Sequence, residues 1–211
     1  MKRVVFFICM LFISAISLNA QLYQHGLILN GGLGSVDAKI DKLGKRWDDI
    51  EYKVGLSLGY RLRFNKPEPK SFHYDWDVNV GVKGARVANW SRIAFSNEEF
   101  PDIDYRPAAD YGGVSGGAAY HYASVGFTAN YSLIKNFSAG LGVEPAYLFK
   151  ADEIKNSFDV PVVAKIAYNL KFLEVGVYGK YGLVNVFAMD YMKSGKIREI
   201  QLSLFIPFRT K

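Results

Sequence analysis

Apolar and polar residues alternate along most of this chain. Between Tyr52 and Phe64, every second residue is tyrosine, valine, leucine or phenylalanine, and the residues between them are lysine, glycine, serine or arginine. Successive side chains of a β-strand point to opposite faces, so such a segment predicts a strand with one apolar and one polar face. We predict eight strands of this kind, each at least about as long as a tilted membrane-spanning strand: Tyr23 to Gly34, Tyr52 to Phe64, Phe72 to Ala85, Ala118 to Leu133, Phe137 to Phe149, Val160 to Leu170, Leu173 to Asn185 and Ile197 to Phe208.

The connections between these segments alternate between short and long. The short ones are residues 65–71, 134–136 and 171–172, and the long ones are 35–51, 86–117, 151–159 and 186–196. Transmembrane β-barrels have short turns on the periplasmic side and longer loops on the outer side. The sequence therefore predicts an all-β fold, an eight-stranded antiparallel up-and-down transmembrane β-barrel with both termini in the periplasm.

The first twenty residues have the features of a secretory signal peptide. Lys2 and Arg3 precede an apolar run from Val4 to Leu18, and the segment ends on the small residue Ala20. We predict two parts, a signal peptide at 1–20 and an outer-membrane barrel domain at 21–211. Because Cys9 is the only cysteine, the exported protein would form no disulfide.

A soluble barrel of the lipocalin type also alternates, but it encloses its apolar face around a ligand. Two features favour a membrane barrel here. The polar face is rich in glycine, which suits a crowded interior, and aromatic residues collect near both strand ends, as in the interfacial girdles of membrane barrels. Among those near the short turns are Tyr60, Phe64, Phe72, Tyr131 and Phe208.

Charges of both signs lie on the polar face. The interior of an eight-stranded barrel is only wide enough to be filled by side chains, and enclosed charges are costly unless they are paired. We therefore predict a salt-bridged plug, in which Glu144, Glu174, Lys165 and Lys180 are the first pairs to look for; the alternative is a narrow ion pathway. The predicted interior charges are Lys53, Arg61, Arg63, Asp75, Asp77, Lys83, Glu144, Lys165, Glu174, Lys180 and Glu199.

The longest predicted loop, residues 86–117, is the best candidate for a partner or ligand surface. Loops longer than about fifteen residues in a compact fold are usually functional or disordered, and this one has many aromatic residues for a disordered segment. Packing of the loop on itself across the barrel mouth is the alternative. Its aromatic residues are Trp90, Phe95, Phe100, Tyr105 and Tyr111.

We expect no catalytic, cofactor or metal site. His121 and Ser124 lie three positions apart in one strand, so they should face opposite sides of the barrel and cannot act together. The acidic residues of the long loop match no EF-hand spacing. The net charge of +6 is modest and forms no long basic run, so we expect no nucleic-acid partner. Pro145 lies within a predicted strand, where we expect a bulge.

With its signal peptide, Gln21 start, glycine-rich and aromatic-rich strands and terminal segment Ile200 to Phe208, the chain resembles the PorT-like outer-membrane β-barrel family and, more distantly, OmpA and OmpX-type small barrels. The resemblance implies that the barrel-insertion machinery reads the end of the last strand. The residues concerned are Leu202, Leu204, Ile206 and Phe208.

These observations lead to one main functional hypothesis, an integral outer-membrane barrel without enzymatic activity, in contact with outer-membrane lipid. The first alternative, implied by the resemblance, is an accessory component of a protein secretion or uptake machine in the envelope. A narrow channel, a lipid-modifying enzyme and a secreted lipocalin-like carrier are the remaining alternatives.

Overall fold

The computed structural model describes residues 22–40, 52–86, 117–149, 154, 156–187 and 192–208. No helix in these ranges is long and apolar enough to cross a membrane. The predicted signal peptide, residues 1–20, lies outside the described residues. The strands are β1 (Leu22–Ile40), β2 (Lys53–Phe64), β3 (Phe72–Arg86), β4 (Gly117–Ile134), β5 (Phe137–Val143), β6 (Ala146–Leu148), β7 (Phe158–Asp159), β8 (Pro161–Asn169), β9 (Glu174–Gly182) and β10 (Met192–Phe208).

The strands form one sheet that closes on itself. Apart from β5 with β6 and β7 with β8, neighbours in sequence are antiparallel neighbours in space, β1 also pairs with β10, and the pairing of β3 with β4 completes the ring. β5 and β6 act as one interrupted strand, and β7 and β8 act as another. The fold is therefore a closed eight-stranded antiparallel barrel, and this confirms the predicted fold class.

The two interruptions occur at prolines, but neither contains a bulge. Val143 pairs with Phe127 and Ala146 with Ser124, so the two residues between these pairs on one strand still oppose two on the other. The Pro145 carbonyl accepts a hydrogen bond from the Val125 amide at 3.0 Å. The predicted bulge is wrong because proline loses only its donor, while its fixed φ remains compatible with an extended strand.

Both termini of the described barrel lie at the end that carries the short turns. Leu22 pairs with Phe64, just before the first short turn, and His25 pairs with Phe208. The three turns use residues with positive φ, namely Asn65, Lys70, Asn136 and Lys171. The short connections therefore follow the prediction, and we call this end of the barrel the turn end and the opposite end the loop end.

β1 and β10 continue further toward the loop end than the alternation indicates. Their ladder extends to Ile40 and Met192, so residues 35–40 and 192–196 are strand where loops were expected. Asp37 faces Lys196 directly across this extension. The hydrogen bonds of a ladder do not require apolar side chains, so the strands can continue past the apolar band with polar residues.

The apolar face of the sheet lies outside and the charged face lies inside. Leu56, Leu141 and Leu202 expose 63%, 67% and 62% of their surfaces, whereas Arg63 and Asp75 expose 0%. A lipocalin-type barrel has the opposite arrangement, with its apolar face enclosed. The orientation therefore contradicts the secreted-carrier alternative.

The tight approach of β4 and β5 generates a stability prediction. A Cβ at Gly142 would lie 2.1 Å from the Phe127 carbonyl oxygen and 2.8 Å from Thr128 Cα, whereas at Gly126 the nearest atom would be 3.5 Å away. We expect Gly142→Ala to lower the free energy of unfolding by about 1–3 kcal/mol, because backbone atoms must shift. Urea unfolding in detergent micelles measures this, with Gly126→Ala as the matched inward-facing control that changes little. Equal midpoints for the two variants would contradict the packing.

Candidate functional site

The interior half nearest the turn end contains a cluster of six ionised side chains, Arg61, Arg63, Asp75, Asp77, Lys165 and Glu174, which we call the turn-side cluster. Arg63 binds two carboxylates at once. Its Nε and Nη2 donate to the Asp75 oxygens at 2.7 and 3.0 Å, and its Nη1 and Nη2 donate to the Glu174 oxygens at 2.7 and 3.0 Å. Arg63 thereby joins β2 to its neighbour β3 and, across the interior, to β9.

Arg61, two residues before Arg63 on β2 and further from the turn end, makes a similar set of contacts. Its Nε and Nη2 each donate to an Asp77 oxygen at 2.7 Å, and Nη1 reaches Glu174 at 3.2 Å. Its Nη2 also donates to the Tyr178 hydroxyl at 2.6 Å. Paired donors on a planar guanidinium match a carboxylate closely, so both arginines are held in one orientation.

Lys165 completes the turn-side cluster from β8. Its Nζ lies 2.6 Å from Asp75 Oδ2 and 3.1 Å from Glu174 Oε1. The Asn130 amide also donates to Asp75, at 3.1 Å. Phe205 covers the cluster, with its ring centroid 5.2 and 5.1 Å from the Arg61 and Arg63 guanidinium carbons. The six charges cancel, which is the condition under which buried ions are tolerated.

A second group, the loop-side cluster, consists of Lys83, Glu144, Lys180 and Glu199. Lys180 Nζ lies 2.6 Å from Glu144 Oε2, and Lys83 Nζ lies 3.1 Å from Glu199 Oε2. The Ser124 hydroxyl donates to Glu144 at 2.9 Å. The four charges of this cluster also cancel, while the buried Asp159 carboxylate lies outside both clusters and accepts a hydrogen bond from the Val160 amide at 2.8 Å.

Closer to the loop end, the interior becomes apolar. We call this group the apolar cap; the Tyr120 and Phe187 rings pack within it at 5.2 Å between centroids. Val186 and Phe187, which were expected in an outer loop, are instead fully buried. Bridges of Phe187 to Ile154 and Gly195 hold the segment inside. The members are Tyr120, Tyr122, Ala146, Leu148, Ile154, Val186, Phe187 and Ile197.

Almost all of the predicted interior charges lie inside the barrel, and the pairs Glu144 with Lys180 and Glu174 with Lys165 both form. Lys53 differs, because it is only half-buried and belongs to neither cluster. Sequence reasoning missed the inward positions of Tyr178 and Phe205. Phe205 lies in the continuous apolar run from Leu204 to Phe208, where alternation gives no signal.

His121 is exposed and Ser124 is 4% exposed inside, so the two do not approach each other as a catalytic pair. In the described part of the chain, no group of three or more histidine, cysteine, aspartate or glutamate residues could hold a metal ion. Trp90, Phe95, Phe100, Tyr105 and Tyr111 lie outside the described residues. The predicted insertion residues point outward along β10, namely Leu202, Leu204, Ile206 and Phe208.

The sequence matches no protein-family model and no curated protein. Among solved structures, it is similar to Neisserial surface protein A, with 11% identity, a TM-score of 0.41, and coverage of 90% of this chain and 99% of that one. It is also similar to Ail, the attachment invasion locus protein of Yersinia pestis, with 12% identity, a TM-score of 0.42, and coverage of 89% and 100%. A second Ail structure, in complex with the heparin analogue sucrose octasulfate, gives 13% identity, a TM-score of 0.41 and the same coverage of 89% and 100%.

The turn-side cluster generates a second stability prediction. In Arg63→Met, the buried carboxylates of Asp75 and Glu174 each lose two hydrogen-bonding contacts, and we expect a loss of about 3–5 kcal/mol in the free energy of unfolding. The matched control is Lys66→Met, which removes a pair with Glu68 whose side chains are both 60% exposed. Such surface pairs contribute roughly 0–1 kcal/mol. Urea unfolding followed by tryptophan fluorescence compares the variants, and similar midpoints would contradict a structural role for the cluster.

Proposed function

We propose that this protein is an integral outer-membrane β-barrel without enzymatic activity, which acts through its exterior and its outer loops. The observation that carries the proposal is the reversed polarity of the barrel. Leucine, valine and isoleucine cover the outside, whereas fully buried charges fill the inside. Water would disfavour this arrangement, whereas hydrocarbon favours it. A closed barrel also leaves no open strand edge, so the backbone N–H and C=O groups of every strand form hydrogen bonds within the sheet.

Aromatic residues support the proposed membrane boundaries. At the turn end, the Phe208 ring lies 5.6 Å from the His25 ring and 6.2 Å from the Tyr60 ring, and the Phe72 ring lies 4.9 Å from the Tyr131 ring, measured between centroids. Toward the loop end, Tyr52, Tyr147, Phe149 and Tyr181 are exposed. Aromatic belts at both interfaces are typical of membrane barrels. By analogy with such barrels, the turn end and both termini face the periplasm.

The filled interior argues against the channel alternative. Two neutral ion-pair clusters lie one above the other, and the apolar cap follows them toward the loop end. A conducting pore needs a hydrated path, whereas these side chains bind one another. The surfaces left for a biological role are therefore the lipid-facing exterior and the loops, among which residues 86–117 form the longest candidate partner or ligand surface.

The second candidate is an accessory role in a secretion or uptake machine, as in some PorT-like proteins. The occluded interior favours it over independent transport, since an accessory barrel can contact a larger complex without conducting anything itself. In either case the chain requires outer-membrane lipid and the barrel-insertion machinery, which would meet the exposed apolar residues of β10.

Conductance tests the occluded interior. We expect the refolded barrel to show no stable conductance steps in a planar lipid bilayer, because the ion pairs block the lumen. The insertion control is the gel shift on heating that is characteristic of small closed barrels. Steady steps whose size changes in Lys180→Met or Glu174→Gln would contradict the proposal and favour a channel.

Replacement of the long loop tests the proposed contact surface. We expect a variant in which a short glycine and serine linker replaces residues 90–112 to keep the heat-dependent gel shift but to lose proteins that co-purify from native outer membranes. Mass spectrometry of the purified material identifies those proteins. Retention of every partner would contradict a role for this loop, and a stable association with a large complex would favour the accessory role.

A further inference from the structure

A groove of about 450 Å³ runs along the exterior between β8, β9, β10 and β1. Its floor follows one row of directly opposed residues, Ala164, Gly179, Ile200 and Leu33. Ala164 and Gly179 are the small residues of this row, and the next outward-facing pair on the same two strands, Ile166 and Val177, is larger. A Cβ at Gly179 would meet no atom within 4 Å, so the glycine leaves open space on the surface.

Arg198 lies at the end of the groove nearest the loop end, in the adjacent row between Tyr181 and Ser35. Its Nε donates to the Ser35 hydroxyl at 2.7 Å. No carboxylate of the described residues forms an ion pair with Arg198, whereas Arg61 and Arg63 each bind more than one. Within the part of the chain that the structure describes, the remaining donors of this guanidinium therefore have no carboxylate partner.

The position of Arg198 along the barrel axis corresponds to a membrane boundary. Arg198 precedes Phe208, at the turn-end aromatic belt, by ten residues (208 − 198). At about 3.3 Å per residue and a tilt of about 40°, this separation is about 25 Å along the axis. The apolar band of a membrane barrel is about 25 Å tall. Arg198 therefore reaches the level at which lipid head groups begin.

Lys196 adds a second cation beyond Arg198 on the same outward face of β10. Its Nζ lies 5.7 Å from the centroid of the Tyr181 ring, and the Tyr181 hydroxyl donates to Asp37 at 2.9 Å. Among the described residues, this part of the rim has two cations and one carboxylate, and the apolar groove lies directly beneath them.

We infer that the groove binds a phosphate-bearing lipid of the outer leaflet. One acyl chain lies over Ala164 and Gly179, and a phosphate accepts hydrogen bonds from the Arg198 guanidinium, which matches phosphate with paired donors. A second copy of this chain fits less well, because a symmetric contact through the groove would bring two Arg198 guanidinium groups of like charge together. The inference rests on the membrane placement proposed above.

Native mass spectrometry of the refolded barrel in a nonionic detergent tests the inference, with lipid A carrying both of its phosphates as the probe. We expect Arg198→Gln to weaken binding about tenfold or more, since a hydrogen bond to a charged group contributes about 1.5–3 kcal/mol and 1.4 kcal/mol is a factor of ten. Lys66→Gln, which removes a cation at the turn end, is the matched charge control and should bind as the unaltered protein does.

Gly179→Leu tests the apolar part of the groove. Because a Cβ at this position would meet no atom within 4 Å and points out of the barrel, we expect the variant to fold. The leucine should fill the groove and reduce lipid binding, while Arg198 is unaltered. Lipid A without its phosphates should bind the unaltered protein as weakly as the diphosphorylated lipid binds Arg198→Gln. Equal binding of the two lipids would overturn the phosphate contact, and unchanged binding by Gly179→Leu would overturn the acyl-chain groove.

The same preparations separate this inference from the proposed function. If the unaltered barrel shows the heat-dependent gel shift and inserts into bilayers, but Arg198→Gln binds lipid A as tightly as the unaltered protein, only the lipid site is wrong. If the barrel does not insert into bilayers, the membrane placement itself is wrong.

Discussion

Pairing of buried charges is the constraint on which the rest of this structure depends. An eight-stranded barrel encloses too little space to hydrate the ten ionised side chains of the two clusters, and each would be strongly unfavourable alone. Arg63 illustrates the solution, because it binds Asp75 on a neighbouring strand and Glu174 across the interior. The contacts therefore favour one register of the strands, because a shift of register by one residue would turn these charges outward.

The apolar exterior of the barrel is the counterpart of this charged interior. With all ionic groups of the clusters enclosed, the outward positions can form an almost continuous apolar surface, which is suited to hydrocarbon. Arg198 interrupts that surface at the level of the loop-end rim, beside an opening left by Gly179 and Ala164. In the membrane placement proposed above, lipid head groups rather than acyl chains would meet a cation at this level.

A filled interior restricts how this protein can act. The turn-side cluster, the loop-side cluster and the apolar cap occupy successive levels of the lumen, so transport through the barrel would require the rearrangement of all three. Contacts made by the exterior of the barrel or by the long connections would require no such change. This is the physical reason for favouring a role in binding or in scaffolding over a role in conduction.

The sequence by itself determined the strands, their faces and the short turns, because a period of two residues and the chemistry of a turn are local properties of the chain. It also indicated the ten charged side chains that form the two interior clusters, but not the burial of Asp159. Only the tertiary structure decided that Arg63 meets Glu174, 111 positions away, and that Phe205 turns inward from an apolar run without alternation. The same is true of the unbroken register at Pro145, of Phe187 beneath the loop end, and of the alignment of Ala164 with Gly179. Each of these depends on closure and register, which bring residues of distant segments side by side and which no local pattern encodes.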